Sequence, residues 1–210
     1  REMIGSIIVV GFFILGCLLG WAGLLPDWIM DADLSMYVLY ALMFQVGLSI
    51  GSDKKLKDIL RSIRPKLLLV PLATISGSLL FAALISLVIS RWSVFDCLAL
   101  GSGFAYYSLS SILITQLKEP SLGIQIASEL GTIALIANIL REIFALLGAP
   151  IFLKYFGRLA PICAGGATTM DTTLPIITRY CGNDLVFVSI FHGILVDFSV
   201  PFLVSFFCQL

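Results

Sequence analysis

The sequence predicts an all-α integral membrane protein of about seven transmembrane helices, one of them broken between Gly165 and Pro175. Three observations carry this. Hydrophobic residues make up 59% of the 210 positions and charged residues 12%, with a mean hydropathy of +1.05, whereas soluble domains carry about 25% charged residues. Apolar stretches at 4–25, 34–50, 67–90, 94–117, 121–153, 159–180 and 184–208 approach or exceed the roughly 20 residues that a spanning helix needs. The stretch 159–180 contains Gly165-Gly166-Ala167-Thr168-Thr169-Met170-Asp171-Thr172-Thr173-Leu174-Pro175, whose glycines and proline oppose an uninterrupted helix.

Residues 1–210 therefore form a single transmembrane domain. The first residue is Arg rather than Met, so the numbered chain is expected to lack its natural start. Ile14-Leu15-Gly16-Cys17 faintly resembles a lipoprotein cleavage site, but the apolar stretch continues past it and 4–25 reads as a retained span. The stretch 34–50 is short enough to be partly re-entrant. Next comes a basic connection with Lys54, Lys55, Lys57, Arg61, Arg64 and Lys66, which the positive-inside rule places in the cytoplasm. Its Leu56, Ile59, Leu60 and Ile63 fall at helical spacing, as in an amphipathic helix on the membrane surface. Counting outward from it, the N-terminus is cytoplasmic, and the acidic connection at Asp27, Asp31 and Asp33 and the C-terminus lie outside. The stretch 121–153 is too long for one straight span and is expected to break near Gly131 or Gly148.

Thirteen basic and thirteen acidic residues leave no net charge, which argues against nucleic acid as a partner. Cys17, Cys97, Cys163, Cys181 and Cys208 are dispersed without a Cys-x-x-Cys pair, so they suggest small buried hydrophobes and no metal site. Gly16-x-x-x-Gly20 and Gly47-x-x-x-Gly51 read as helix packing.

Three polar regions stand out within the apolar stretches. In the broken segment Pro175 cannot donate to the carbonyl of Asp171, so the ladder is expected to open at the carboxylate itself, among Thr168, Thr169, Thr172 and Thr173. Such a break survives in hydrocarbon where protein or a water-filled cavity satisfies it, and transporters bind substrates at breaks of this kind. The stretch 101–111 joins glycines and hydroxyls to Tyr106, Tyr107 and Ser108. It is either a small-residue packing face or the wall of an ammonium site. Asn138, Arg141 and Glu142 share one side of a helix. Arg141 is the more structural member, and Glu142, a carboxylate away from water, is able to bind and release a proton or balance a cationic ligand. His192 and Asp197 in the last stretch, five residues apart, point to different faces, and a lone histidine is more often a hydrogen-bonded packing residue than a proton carrier.

Gly103-Phe104-Ala105-Tyr106-Tyr107-Ser108-Leu109, Arg141-Glu142, the Gly165–Pro175 motif and His192-Gly193 together closely resemble the bacterial lysine exporter family (LysO), over nearly the whole chain. The resemblance implies efflux of L-lysine and its analogue thialysine across the inner membrane, with Glu142 and Asp171 as the two functional intramembrane acids. The family is similar to cation/proton antiporters and bile-acid-type symporters, whose inverted repeats cross at broken helices. By that analogy 159–180 is a crossing helix, and 4–25 is its counterpart. Longer family members carry additional N-terminal spans, which implies a split transporter completed by a small membrane subunit or by self-association as a homo-oligomer, with a competent single chain as a third possibility.

Exchange of lysine for protons is the expected mechanism. Glu142 and Asp171 bind substrate and proton, and the possible cavity residues are Tyr106, Tyr107, Ser108, Asn138, Arg141, Thr169, Thr172, His192 and Asp197. No cofactor or metal is implied. The rivals are a transporter subunit for another small cationic metabolite or ion, and a noncatalytic scaffold subunit. An intramembrane hydrolase is disfavoured by the absence of Gly-x-Gly-Asp and His-Glu-x-x-His patterns.

Overall fold

Helix α1, Leu69–Ser86, follows a 3-10 turn at Pro65–Leu68 and opens the continuous part of the computed structural model, which describes residues 65–210 and isolated positions between 11 and 48. The chain divides into two compact units, 1–45 and 46–210. In the first, positions 14–16 and 18–21 are helical. Positions 34, 37, 41, 44 and 48 are helical as well, while the rest of 34–50, the basic connection at 54–64 and the chain's N-terminal orientation lie outside the described residues.

The second unit continues with α2 (Val94–Gly101), α3 (Tyr107–Leu122), α4 (Ile124–Phe156), α5 (Ala160–Gly165), a 3-10 turn at Gly166–Met170, α6 (Leu174–Cys181), a 3-10 turn at Asn183–Leu185 and α7 (Val186–Cys208). Among the described residues, the segments Lys66–Ser86, Ile124–Phe156 and Asn183–Cys208 are helices long and apolar enough to cross a membrane. Their outer faces carry large exposed apolar side chains, such as Phe198, Phe202 and Phe206, one turn apart on α7. Hydrocarbon would cover such a face.

The other two expected crossings turn back instead. Lys118 Nζ near the end of α3 lies 2.9 Å from Asp96 Oδ1 at the start of α2, and both side chains are buried. A segment that crossed straight through would hold these residues far apart, so α2 and α3 form a re-entrant hairpin. Its entry is fixed by a capping box in which Ser93 Oγ accepts from Asp96 N and Asp96 Oδ2 accepts from Ser93 N. The segment 160–181 behaves likewise: Ile162 of α5 packs with Ile177 and Cys181 of α6, and Arg158 donates to the Cys181 carbonyl and to Asp184 Oδ1. The expectation of a through-crossing broken helix at 159–180 is thus corrected, because the glycine and proline breaks reverse the chain.

The hairpins enter from opposite ends. Arg91, just before the first, pairs with Glu129 near the start of α4 at 2.6 Å, and α4 ends beside the base of the second hairpin. Helix α4 is 33 residues without a break, about 50 Å long, so the expected interruption near Gly131 or Gly148 does not occur. Gly131 instead lets α4 approach Thr115 and the Ser111 carbonyl of α3. The order helix then hairpin occurs twice, as α1 with α2–α3 and as α4 with α5–α6, the second running opposite to the first.

Candidate functional site

The two hairpin tips meet midway along α4. Ala167 N donates to the Phe104 carbonyl at 2.8 Å, and a Cβ placed on Gly166 would overlap that same carbonyl. Gly166 has φ 61°, which glycine adopts without a steric penalty. Phe104 and Ala105 do not have that freedom, yet lie at φ 44° and 74°. Strain of this kind persists only where surrounding contacts over-determine the backbone. Here Asn138 Oδ1 accepts from Ala105 N at 2.8 Å, while its Nδ2 donates to Ala134 O and Ser110 Oγ. Asn138 thereby holds the first tip.

Arg141 is committed too. Its Nε donates to Ala164 O, Nη2 to Cys163 O and Nη1 to Ser78 Oγ, at 2.9–3.1 Å, and its guanidinium stands 5.7 Å from the centre of the Phe104 ring. One cation therefore takes up the last carbonyls of α5 and joins both tips to α1 and α4. Each guanidinium nitrogen thus has an acceptor in the scaffold.

Thr169 and His192 form a third support. Thr169 Oγ1 donates among the Gly166 and Ser189 carbonyls and contacts His192 Nδ1 at 2.9 Å. His192 Nε2 lies 2.8 Å from Thr74 Oγ1 of α1. Both residues are fully buried. The close seat of this tip on α7 depends on Gly193, where a Cβ would meet Met170 N at 2.6 Å. The carbonyl of Asp171, expected to be released by Pro175, accepts instead from Leu174 N at 3.2 Å.

What remains on the open side is a group of acids and phenols. Asp171 and Thr172 are exposed, Glu142, Tyr106 and Tyr107 half-buried. Asp171 Oδ1 accepts from Thr172 N. Glu142 interacts with the Thr172 hydroxyl and is within electrostatic reach of Asp171. Tyr107 is within electrostatic reach of Glu142 and Asp171, and Tyr106 of Asp171 and Asp197. Ser108 is half-buried in the first turn of α3. The structure thus brings Glu142, Asp171, Tyr106, Tyr107, Thr172 and Asp197 together, and turns Asn138, Arg141, Thr169 and His192 toward the scaffold. Ser78, Thr74 and Phe104 were not foreseen as supports. Gly101 and Gly103 flanking Ser102 were the signal that this tip bends. Among the described residues no group of His, Cys, Asp and Glu has the geometry of a metal site.

Carboxylates and tyrosine rings gathered in one place suit a ligand bearing ammonium groups. The family model for the lysine exporter LysO matches residues 10–208. The chain is 32% identical over 198 residues to a protein of Haemophilus influenzae named "Putative lysine exporter", covering 92% of this chain and 93% of that one. It is 31% identical over 206 residues to "Lysine exporter LysO" of Escherichia coli, covering 96% of this chain and 64% of that one, so it spans just under two thirds of the longer relative. No solved structure matches the chain.

Proposed function

The chain belongs to the lysine exporter family, and from that membership we propose that it exports L-lysine, and its analogue thialysine, across the bacterial inner membrane in exchange for protons. The observation that carries the exchange is the neighbourhood of Glu142 and Asp171 between the two hairpin tips. Lysine has two ammonium groups and one carboxylate. Leaving the cell it carries net positive charge against an interior-negative potential, which opposes it by roughly 2.3 kcal/mol per 100 mV. An inward proton for each lysine removes that electrical cost.

In the loaded state Glu142 and Asp171 balance the ammonium groups, with Tyr106 and Tyr107 offering ring faces beside them. In the empty state protons replace the substrate, so the acids never stand bare together in a weakly hydrated site. Thr172 orients Glu142 in both states. The orientation we assign places the basic connection in the cytoplasm and the C-terminus outside; among the described residues three candidate crossings follow that connection, odd in number like the five expected there.

The test is reconstitution of the purified chain in liposomes, with lysine efflux and internal pH recorded together. Lysine leaving with counterflowing protons is the expected result, and Asp171→Asn is expected to abolish it while the protein remains in the membrane. Full efflux by that variant would sink the mechanism. Efflux retained after both acids are replaced would favour the scaffold reading.

A further inference from the structure

Asp197 of α7 is only 4% exposed, and among the described residues its Oδ2 has no hydrogen-bond partner. A buried carboxylate oxygen without a donor is costly unless a cation compensates it. Among the described residues, the charged and titratable groups around it do not supply one. From the first hairpin it is faced by Tyr106, and from the second by Asp171, which is itself acidic. On its own helix His192 is turned to Thr74 and Thr169. Arg141 is held by Ser78, Cys163 and Ala164, and Lys118 is paired with Asp96 near Cys208, at the far end of α7.

We propose that Asp197 is a binding site for the monovalent cation that drives transport, H+ or Na+, set one layer behind the substrate-facing acids. The inference rests on the exchange reading above and adds the mechanism of coupling to it. Asp171 is exposed and Asp197 buried, so substrate reaches the outer acid and the small cation resides at the inner one. Two neighbouring carboxylates favour a cation on one of them as long as both are unfilled. An ammonium group arriving at Asp171 relieves that repulsion and loosens the cation at Asp197, and a returning cation weakens the hold on the ammonium. Each ligand lowers the affinity for the other, and this reciprocity is the thermodynamic condition for exchange.

Wild type and Asp197→Asn, both monodisperse in detergent, are compared in liposomes by two rates: lysine–lysine counterflow without a gradient, and lysine movement driven by a proton gradient or, at clamped pH, by a sodium gradient. The ratio of driven movement to counterflow is expected to fall at least roughly tenfold in the variant, and the gradient that drives wild type identifies the cation. An unchanged ratio, or a loss of both rates in proportion, overturns the proposal. Asp197→Glu is expected to restore the ratio in part, and a failure to do so in a folded variant counts against a cation site.

If wild type moves no lysine, the exchange reading fails, and lysine-free protein still decides the role of Asp197. Infrared difference spectra on changing pH or sodium concentration are expected to show a carboxyl band that Asp197→Asn removes. Identical spectra for the two proteins overturn the assignment.

Discussion

The carbonyl of Phe104 rests against Gly166 so closely that the smallest side chain on that glycine would overlap it. This contact joins two hairpins that approach from opposite ends of α4, and the Ala167 N to Phe104 O hydrogen bond locks it. Gly166→Ala therefore meets two obstacles. An L-residue at φ 61° costs about 1–2 kcal/mol, and overpacking against a backbone carbonyl adds roughly 1–3 kcal/mol. The variant is expected to melt lower in detergent than wild type and to lose export. A normal melting temperature with full export would mean that the tips do not meet in this way.

The clamp at Arg141 gives a second expectation. Lysine keeps the charge but cannot reach Cys163 O, Ala164 O and Ser78 Oγ together, since an ammonium is a point donor and a guanidinium a planar fork. Hydrogen bonds from a charged group are worth about 1.5–3 kcal/mol each, so Arg141→Lys should lower stability by more than one such bond. Because the side chain faces the scaffold, the apparent KM for lysine is expected to change less than the maximal rate. A selective rise in KM in transport kinetics, with stability unaltered, would return Arg141 to the substrate cavity.

The buried pair Asp96–Lys118 closes the base of the first hairpin, with both side chains 9% exposed. Removing one partner strands the other charge, at a cost of about 3–5 kcal/mol. Lys118→Met alone is expected to be strongly destabilising. Combining it with Asp96→Asn, whose amide oxygen still accepts from Ser93 N in the capping box, should recover most of the loss. Thermal unfolding of the single and double variants checks this, and additive losses would mean that the pair is not coupled.

Composition and long apolar runs were enough to read a helical membrane chain, and the Gly165–Pro175 motif marked a break where one is found. Length could not separate a crossing from a hairpin, because α2 with α3 (Val94–Leu122) and α5 with α6 (Ala160–Cys181) each occupy a stretch as long as a span. The distinction lies in the Asp96–Lys118 and Arg158–Asp184 contacts, which join residues 22 and 26 positions apart. Glu142 and Asp171 stood out in the sequence as acids within apolar stretches, and the structure places them within electrostatic reach of each other. Arg141 was read as the more structural member of its region, but what it and Asn138 hold was not legible, since Ala105, Cys163 and Ala164 meet them through backbone groups distant in sequence. Phe104 and Ala105 at positive φ were hidden for a related reason: nothing in a side chain announces that its backbone is held in the left-handed region by a distant asparagine.

His192 provides the sharpest test of what is scaffold and what is site. Both ring nitrogens lie against threonine hydroxyls, Thr74 of α1 and Thr169 of the second tip, and the ring is wholly buried. Each hydroxyl can donate or accept, so a neutral ring with one donor and one acceptor satisfies the network. Glutamine also offers one acceptor and a donor group of similar reach. His192→Gln is expected to cost about 1–2 kcal/mol through imperfect geometry, seen as a lower melting temperature. The pH at which export is half-maximal should not move, because the protons that drive transport are assigned to carboxylates. A displaced pH profile in the variant, with a stability close to wild type, would make His192 a proton carrier and remove the separation between the threonine–histidine support and the acid cluster.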